Sequence, residues 1–202
     1  MSKTIILDVD GVLLDWRTPF IMWLNKHNIL TEQPNYKDLQ PYNEFNETFI
    51  KIFSETLYFQ NLPPEPGAIE ALNSFRSRGF TMKVLTSCTD NYRVMRSREQ
   101  NLINVFGDVF EDFIFLPLQS SKKTALNKLI KLDEDSIFVE DTLNNILDAV
   151  RVGFKSSNVF LMAQLYNMDD YLRTFYTPSQ DKFEPEIRRF YWDQITKEIT
   201  GE

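Results

Sequence analysis

Five short apolar runs, rich in β-branched and aromatic residues, punctuate the chain at residues 5–9, 80–86, 113–116, 136–139 and 159–162. Each is too short for a globular helix and the right length for a buried strand. Between them, apolar residues recur at helical spacing: Ala68, Leu72 and Phe75 ahead of Gly79, and Leu143, Ile146, Leu147 and Val150 ahead of Gly153. Glycine stops a helix because it enters the left-handed conformation without a side-chain clash. Alternating strands and helices specify a mostly parallel sheet, since each parallel partner is reached by a crossover whose helix covers a face of the sheet. Ligands of such a sheet bind outside the carboxyl ends of its strands.

Residues 17–65 interrupt the alternation. Thr18 and Pro19 read as the cap and first-turn proline of one helix, and Phe49, Ile52, Phe53 and Leu57 as the apolar stripe of another. The expectation is a small helical lobe inserted after the first strand, with "NLPPEPGA" (residues 61–68) as its return linker. The expected division is a core of residues 1–15 and 66–175, a lobe of residues 16–65 and a C-terminal helical extension of residues 176–202. In that extension, "FEPEIRRFYWDQITKEI" sets Ile187, Tyr191 and Ile195 on one helical face, for docking on the same chain or for a homodimer contact.

With 43% hydrophobic and 25% charged residues, the 202-residue chain suits one globular domain with such an insert. It shows no basic, apolar leader and no apolar run near the roughly 18 residues of a membrane helix, so a cytoplasmic protein is expected. One cysteine, Cys88, excludes an internal disulfide, and with one histidine, His27, it argues against a Cys/His zinc site. Cys88 reads as a small packed side chain and His27 as structural or exposed. The net charge of -7 argues against an extended nucleic-acid surface and favours a small ligand.

The strand ends carry the chemistry. "TIILDVDGVLLDW" ends an apolar run with Asp8 and Asp10, two residues apart, and then Gly11. Adjacent carboxylates repel unless a proton or cation separates them, and a hard divalent ion such as Mg2+ takes oxygen ligands. Read plainly, Asp-Gly after an apolar run is also a turn signal. "KVLTSCTD" places Thr86 and Ser87 at the second strand's tip, where hydroxyl and N–H groups suit a phosphate. "SSKKTALNKLI" puts Lys122 or Lys123 at a helix start, where the helix dipole disfavours a cation unless an anion is near; a solvated lysine is the alternative. "SIFVEDTLNNILDAV" ends the fourth run in Glu140 and Asp141, a second acidic pair, with helix capping by Asp141 as the alternative.

In this order, "DVDGV", a strand ending in Thr, a helix-start lysine and a strand ending in "ED", residues 1–165 resemble the haloacid dehalogenase (HAD) superfamily of phosphotransferases. The resemblance implies a Rossmann-like core with a small helical cap after the first strand. It implies Asp8 as the nucleophile that forms an aspartyl-phosphate and Asp10 as the general acid and base. Thr86, with Ser87, would bind phosphate, and Lys122 or Lys123, with Lys122 favoured, would offset charge on nucleophile and phosphate. Mg2+ would be held by Asp8, Asp141 and the backbone carbonyl of Asp10, with Glu140 as a direct or water-mediated ligand. Many relatives carry an Asp four residues after the fourth-motif Asp; here Asn145 offers an amide oxygen without charge. The dehalogenases lack an acid two residues after the nucleophile, so Asp10 favours a phosphatase.

More narrowly, "DVDGVLLDW", "LPPEPGAIEAL" and "VFLMAQLYN" resemble the 5'(3')-deoxyribonucleotidases, whose cap supplies base-stacking aromatics. Residues 16–59 include Trp16, Phe20, Trp23, Phe45, Phe49 and Phe53, which at helical spacing also read as core. Trp16 and Phe20, nearest Asp8, are the substrate-contact candidates. The function expected is Mg2+-dependent phosphomonoester hydrolysis of nucleoside monophosphates. A phosphatase of another small metabolite or a nucleic-acid 3' end is the alternative, as is a catalytically weak phosphate- or protein-binding domain. Asp10 counts against the last, because binding alone has no use for a second acid.

Overall fold

The structure is a computed structural model that describes residues 3–29, 44–118, 120–164, 167–168 and 187–201, without the side chains of residues 44–47. Its centre is a parallel sheet of β1 (Thr4–Leu7), β2 (Thr81–Cys88), β3 (Phe110–Pro117), β4 (Ile137–Glu140), β5 (Val159–Met162) and β6 (Arg189–Phe190). The spatial order is β3-β2-β1-β4-β5-β6. The chain therefore winds outward from β1 in both directions, and the gap between β1 and β4 is the switch point where such sheets bind ligands.

Strand periodicity divides the core into two layers. Ile5, Leu7, Met82, Val84, Ile137, Val139, Phe160 and Met162 join one apolar cluster, while Ile6, Leu85, Phe138, Val159 and Leu161 join the other. Residues two apart share a face, so each strand feeds both layers. The second layer is covered by α6 (Lys123–Leu132), through Leu126, Leu129 and Ile130, and by α7 (Leu143–Val152), through Leu143, Ile146 and Ala149. The first is covered by α4 (Ala68–Ser77), α5 (Tyr92–Phe106) and α8 (Trp192–Thr200). The glycines expected to stop α4 and α7 have positive φ, 76° at Gly79 and 117° at Gly153.

Between β1 and α4 lie α1 (Arg17–Lys26), α2 (Glu44–Ser54) and α3 (Leu57–Gln60). Phe20, Trp23, Phe53 and Phe59 form their aromatic centre, with Phe20 and Phe53 rings 5.1 Å apart and Phe53 and Phe59 rings 5.8 Å apart. These side chains are continuous with the first layer of the core. Two details differ from the sequence reading. The carboxylate of Asp15, not Thr18, caps α1 by accepting the Thr18 N–H at 3.0 Å. Ile52 points outward, 49% exposed, because α2 turns Phe53 inward, and Leu57 is 73% exposed because the chain breaks between α2 and α3 and shifts the stripe. The Phe45 side chain lies outside the described residues.

The C-terminal segment is also not one helical face. Ile187 is buried ahead of β6, Tyr191 is exposed, and α8 begins at Trp192, so Trp192 and Ile195 make the inward face. A strand fits there because β5 has a free edge that Arg189 and Phe190 pair with. Trp192 is 2% exposed, and its indole Nε1 donates to the Val12 carbonyl at 2.8 Å. Its Cβ leaves only 3.1 Å to a Cβ built on Gly67, which has φ of 85° and joins the return linker to α4. Trp192→Ala is expected to cost about 3–5 kcal/mol by cavity formation and loss of this bond. Urea unfolding measures it, and a cost under about 1 kcal/mol would show that α8 is only loosely docked.

Candidate active site

Asp8 follows the last residue of β1 and extends the ladder to β4 by one bond, its N–H donating to the Val139 carbonyl at 3.0 Å. The chain then coils tightly: the Val9 carbonyl accepts the N–H groups of Val12, Leu13 and Leu14 at 3.2, 2.8 and 2.9 Å. Gly11 makes the turn possible with φ of 78°, a region costly for other residues. Asp8 is buried and Asp10 partly exposed at the mouth of the β1–β4 gap.

The other strand tips converge here. Lys122, at the N-terminal edge of α6, is 2% exposed, and its ammonium lies 2.7 Å from Asp8 Oδ1 and 2.7 Å from Glu140 Oε2. Lys123 is exposed, so of the two candidate lysines only Lys122 meets the acids. Glu140 ends β4 wholly buried, and its second oxygen accepts the N–H groups of Asp141 and Thr142 at 3.2 and 3.0 Å. Asp141 is buried beside it, its Oδ1 accepting the Thr142 hydroxyl at 3.3 Å. Thr86 is buried and Ser87 half-buried near the end of β2, and Asn145 is half-buried in the first turn of α7.

Asp8, Glu140 and Asp141 each offer an oxygen within 4.8 Å of the others. Three carboxylates around one ammonium leave an excess of buried negative charge. Burial, and then repulsion from Glu140, push Asp8 up to about 7 against the pull of Lys122. Burial likewise pushes Glu140 up to about 7 against Lys122, with Asp141 adding to the rise. Burial works against the Lys122 ammonium, but the two carboxylates outweigh it and strengthen its hold on the proton. The donor set, hard oxygens with unbalanced negative charge, fits a divalent cation.

Asp10 is paired differently. Burial raises it to about 6, opposed by the Arg98 guanidinium, whose Nη2 lies 2.8 Å from Asp10 Oδ1. The motifs did not reveal Arg98. Its one sequence signal is its place on the stripe Val94, Arg98, Asn101 and Leu102, whose other members are the buried face of α5. Two further residues of the segment "VFLMAQLYN" join the site without any motif marking them. Asn167 donates to the carbonyls of Asp141 (2.7 Å) and Met162 (2.8 Å), and Gln164 donates to the Gly11 carbonyl (2.8 Å) and to Glu65 (3.2 Å). They brace the two acidic loops.

The substrate-contact candidates separate. Phe20 is 1% exposed inside the aromatic centre and is not available to a ligand. Trp16 is partly buried and lines a cavity of about 390 Å3 with Gly11, Asp15, Arg17, Ile21 and Glu65. Cys88 is buried, its thiol pushed up by burial, as befits a packed side chain. His27 is exposed.

Lys122 should hold this centre together. Lys122→Met is expected to destabilise the protein by about 3–5 kcal/mol at about pH 8, because two buried carboxylates lose their cation. A carboxyl raised in the folded state contributes stability that is complete below its unfolded value and lost as pH rises through its folded value. The cost should therefore shrink at about pH 5, where Asp8 and Glu140, raised to about 7, are protonated. Denaturant unfolding at the two pH values decides it; an equal cost at both would exclude the charge explanation.

No protein-family model matches the chain. It is similar, at 20% identity over 223 residues covering all of this chain and 80% of the other, to an uncharacterized 32.4 kDa protein of Enterobacteria phage T4. Over a 91-residue alignment, covering 41% of this chain and 48% of the other, it is 31% identical to the Bordetella bronchiseptica protein named "Putative 5'(3')-deoxyribonucleotidase". Among solved structures, it is similar to a predicted phosphatase from Clostridium acetobutylicum, with a TM-score of 0.67, 16% identity and full coverage of both chains. A haloacid dehalogenase-like hydrolase from Streptococcus pneumoniae gives a TM-score of 0.64, 11% identity and 96% coverage of both. With its parallel sheet, the acids at the tips of β1 and β4 and these neighbours, the chain has the fold of the haloacid dehalogenase-like hydrolases.

Proposed function

We propose that the protein is a metal-dependent phosphomonoesterase that uses Asp8 as its nucleophile. The observation that carries this reading is the meeting of Asp8, Lys122, Glu140 and Asp141 at the β1–β4 switch point, with Asp10 beside them. A phosphate dianion repels a carboxylate nucleophile, so this reaction needs positive charge where these residues gather it. Lys122 supplies one charge. Mg2+, held by Asp8, Asp141 and the Asp10 carbonyl, with Glu140 directly or through water, would supply the rest as a Lewis acid. Asn145 would either coordinate the ion through its amide oxygen or orient a ligand carboxylate by donating from its amide nitrogen.

Asp8 attacks phosphorus while Asp10 gives its proton to the departing ester oxygen as the P–O bond breaks. Water then attacks the phosphorus of the aspartyl-phosphate, Asp10 takes a proton from that water, and the Asp8–phosphorus bond breaks to release inorganic phosphate. Thr86 and Ser87, at the neighbouring strand tip, bind the phosphoryl oxygens. The substrate class we favour is nucleoside monophosphates. Its supports are the partly buried Trp16 ring on a cavity next to Gly11, which suits a base, and the similarity to a protein named as a deoxyribonucleotidase.

The test is phosphate release from nucleoside 5'- and 3'-monophosphates and from sugar phosphates, with Mg2+ or chelator. Asp8→Asn is expected to abolish turnover while leaving the circular dichroism spectrum unchanged, and chelator to do the same. Full activity in Asp8→Asn would overturn the nucleophile assignment. Turnover confined to sugar phosphates would keep the mechanism and replace the substrate.

A further inference from the structure

We infer that Arg98 is the positioning residue for Asp10, and that Phe59 extends this device into the helices inserted after β1. The inference rests on the phosphomonoesterase reading of Asp8 and Asp10. Arg98 is the largest fully buried side chain among the described residues, at 1% exposure. One face of its guanidinium is covered by the Phe59 ring of α3, with its central carbon 3.8 Å from the ring centroid. Its Nη2 sits 2.8 Å from Asp10 Oδ1.

The quality of that pair is informative. Arg98 Nη1 and Nη2 and Asp10 Oδ1 are all buried, and none makes a hydrogen bond among the described residues, so charges are matched while the donors approach off the bonding direction. A guanidinium kept for stability would have its rigid fork satisfied, and an apolar side chain of similar volume would fill the space at lower cost. What the arrangement does achieve is a grip on one oxygen of Asp10. The Asp10 side chain is 29% exposed while its Oδ1 is buried, so its accessible part is not the oxygen that Arg98 holds. On this proposal the oxygen that Arg98 leaves free, Oδ2, is the one that carries the proton.

Arg98 is itself held from the inserted helices. Phe59 packs edge-on against Phe53 of α2. One turn along α5, the Asn101 amide accepts the Leu62 N–H at 3.0 Å and donates to the Leu62 carbonyl at 3.1 Å, binding α5 to the segment that follows α3. The orientation of Asp10 thus depends on where α3 lies. The inserted helices act on proton transfer as well as enclosing a substrate.

A leaving-group comparison tests this. An aryl ester, p-nitrophenyl phosphate, expels an anion stable without a proton; an alkyl phosphate, such as the nucleotide or sugar phosphate that the wild type turns over, does not. The readout is kcat/KM, which stops at leaving-group departure and excludes the later attack of water common to both esters. Arg98→Met is expected to lower kcat/KM about tenfold or more for the alkyl ester and less than about threefold for the aryl ester. Arg98→Lys should recover part of the loss, and Arg98→Met should add nothing in an Asp10→Asn background. Equal losses for both esters, or additive effects with Asp10→Asn, would overturn the inference. Should Arg98→Met fail to fold, Phe59→Leu keeps the charge and is expected to show a smaller loss with the same bias toward the alkyl ester; a loss without that bias counts against the proposal. Absence of turnover of both esters by the wild type would instead remove the phosphomonoesterase reading.

Discussion

A single buried ammonium organises the structure. Lys122 reaches two carboxylates at 2.7 Å each, one from the tip of β1 and one from the end of β4, and so closes the sheet's switch point from a third element, the start of α6. An ammonium surrendering water on this scale is tolerated only among anions, and those carboxylates are tolerated only beside a cation. Each group is therefore the condition for burying the others. The cluster remains one cation short, which is why the same residues that stabilise the gap also make it attractive to a metal ion.

The rest of the fold supplies rigid mounts. The central strand β1 has hydrogen-bonded neighbours on both sides, and its residues alternate between two apolar layers with Ile5, Ile6 and Leu7 wholly buried. A strand fixed on both edges and both faces delivers Asp8 to one place. The less regular acids are braced by side chains from elsewhere: Asn167 holds the carbonyl of Asp141, Gln164 that of Gly11, and Arg98 the carboxylate of Asp10. This bracing spans most of the chain, from Gly11 to Asn167.

Most of the sheet was legible because its code is local. Apolar runs gave five of the six strands among the described residues to within a few positions, and glycine marked the ends of α4 and α7 where positive φ required it. β6 was missed because two residues carry no periodicity; only the open edge of β5 makes Arg189 and Phe190 a strand. The acidic pairs and the lysine stood out for the same local reason, being polar groups at the ends of apolar runs. Choosing Lys122 over Lys123 was harder, since adjacent residues differ only in the direction they face at a helix start. Arg98 was hidden among Arg93 and Arg96, chemically identical neighbours, and its place on the stripe of Val94, Asn101 and Leu102 was the one sign that it is the buried member. Phe20 is packed in the aromatic centre, its spacing from Trp16 being as good for a core as for a pocket.

The bond from Trp192 to the Val12 carbonyl ties residues 180 positions apart. During synthesis the coil after Asp8 emerges first, yet its partner arrives only after the whole sheet has been made. Long-range closure of this kind is entropically costly and slow. The loop that follows Asp8 therefore acquires this constraint late, and partly made chains would expose the apolar residues that α8 covers, a stage at which they are open to aggregation.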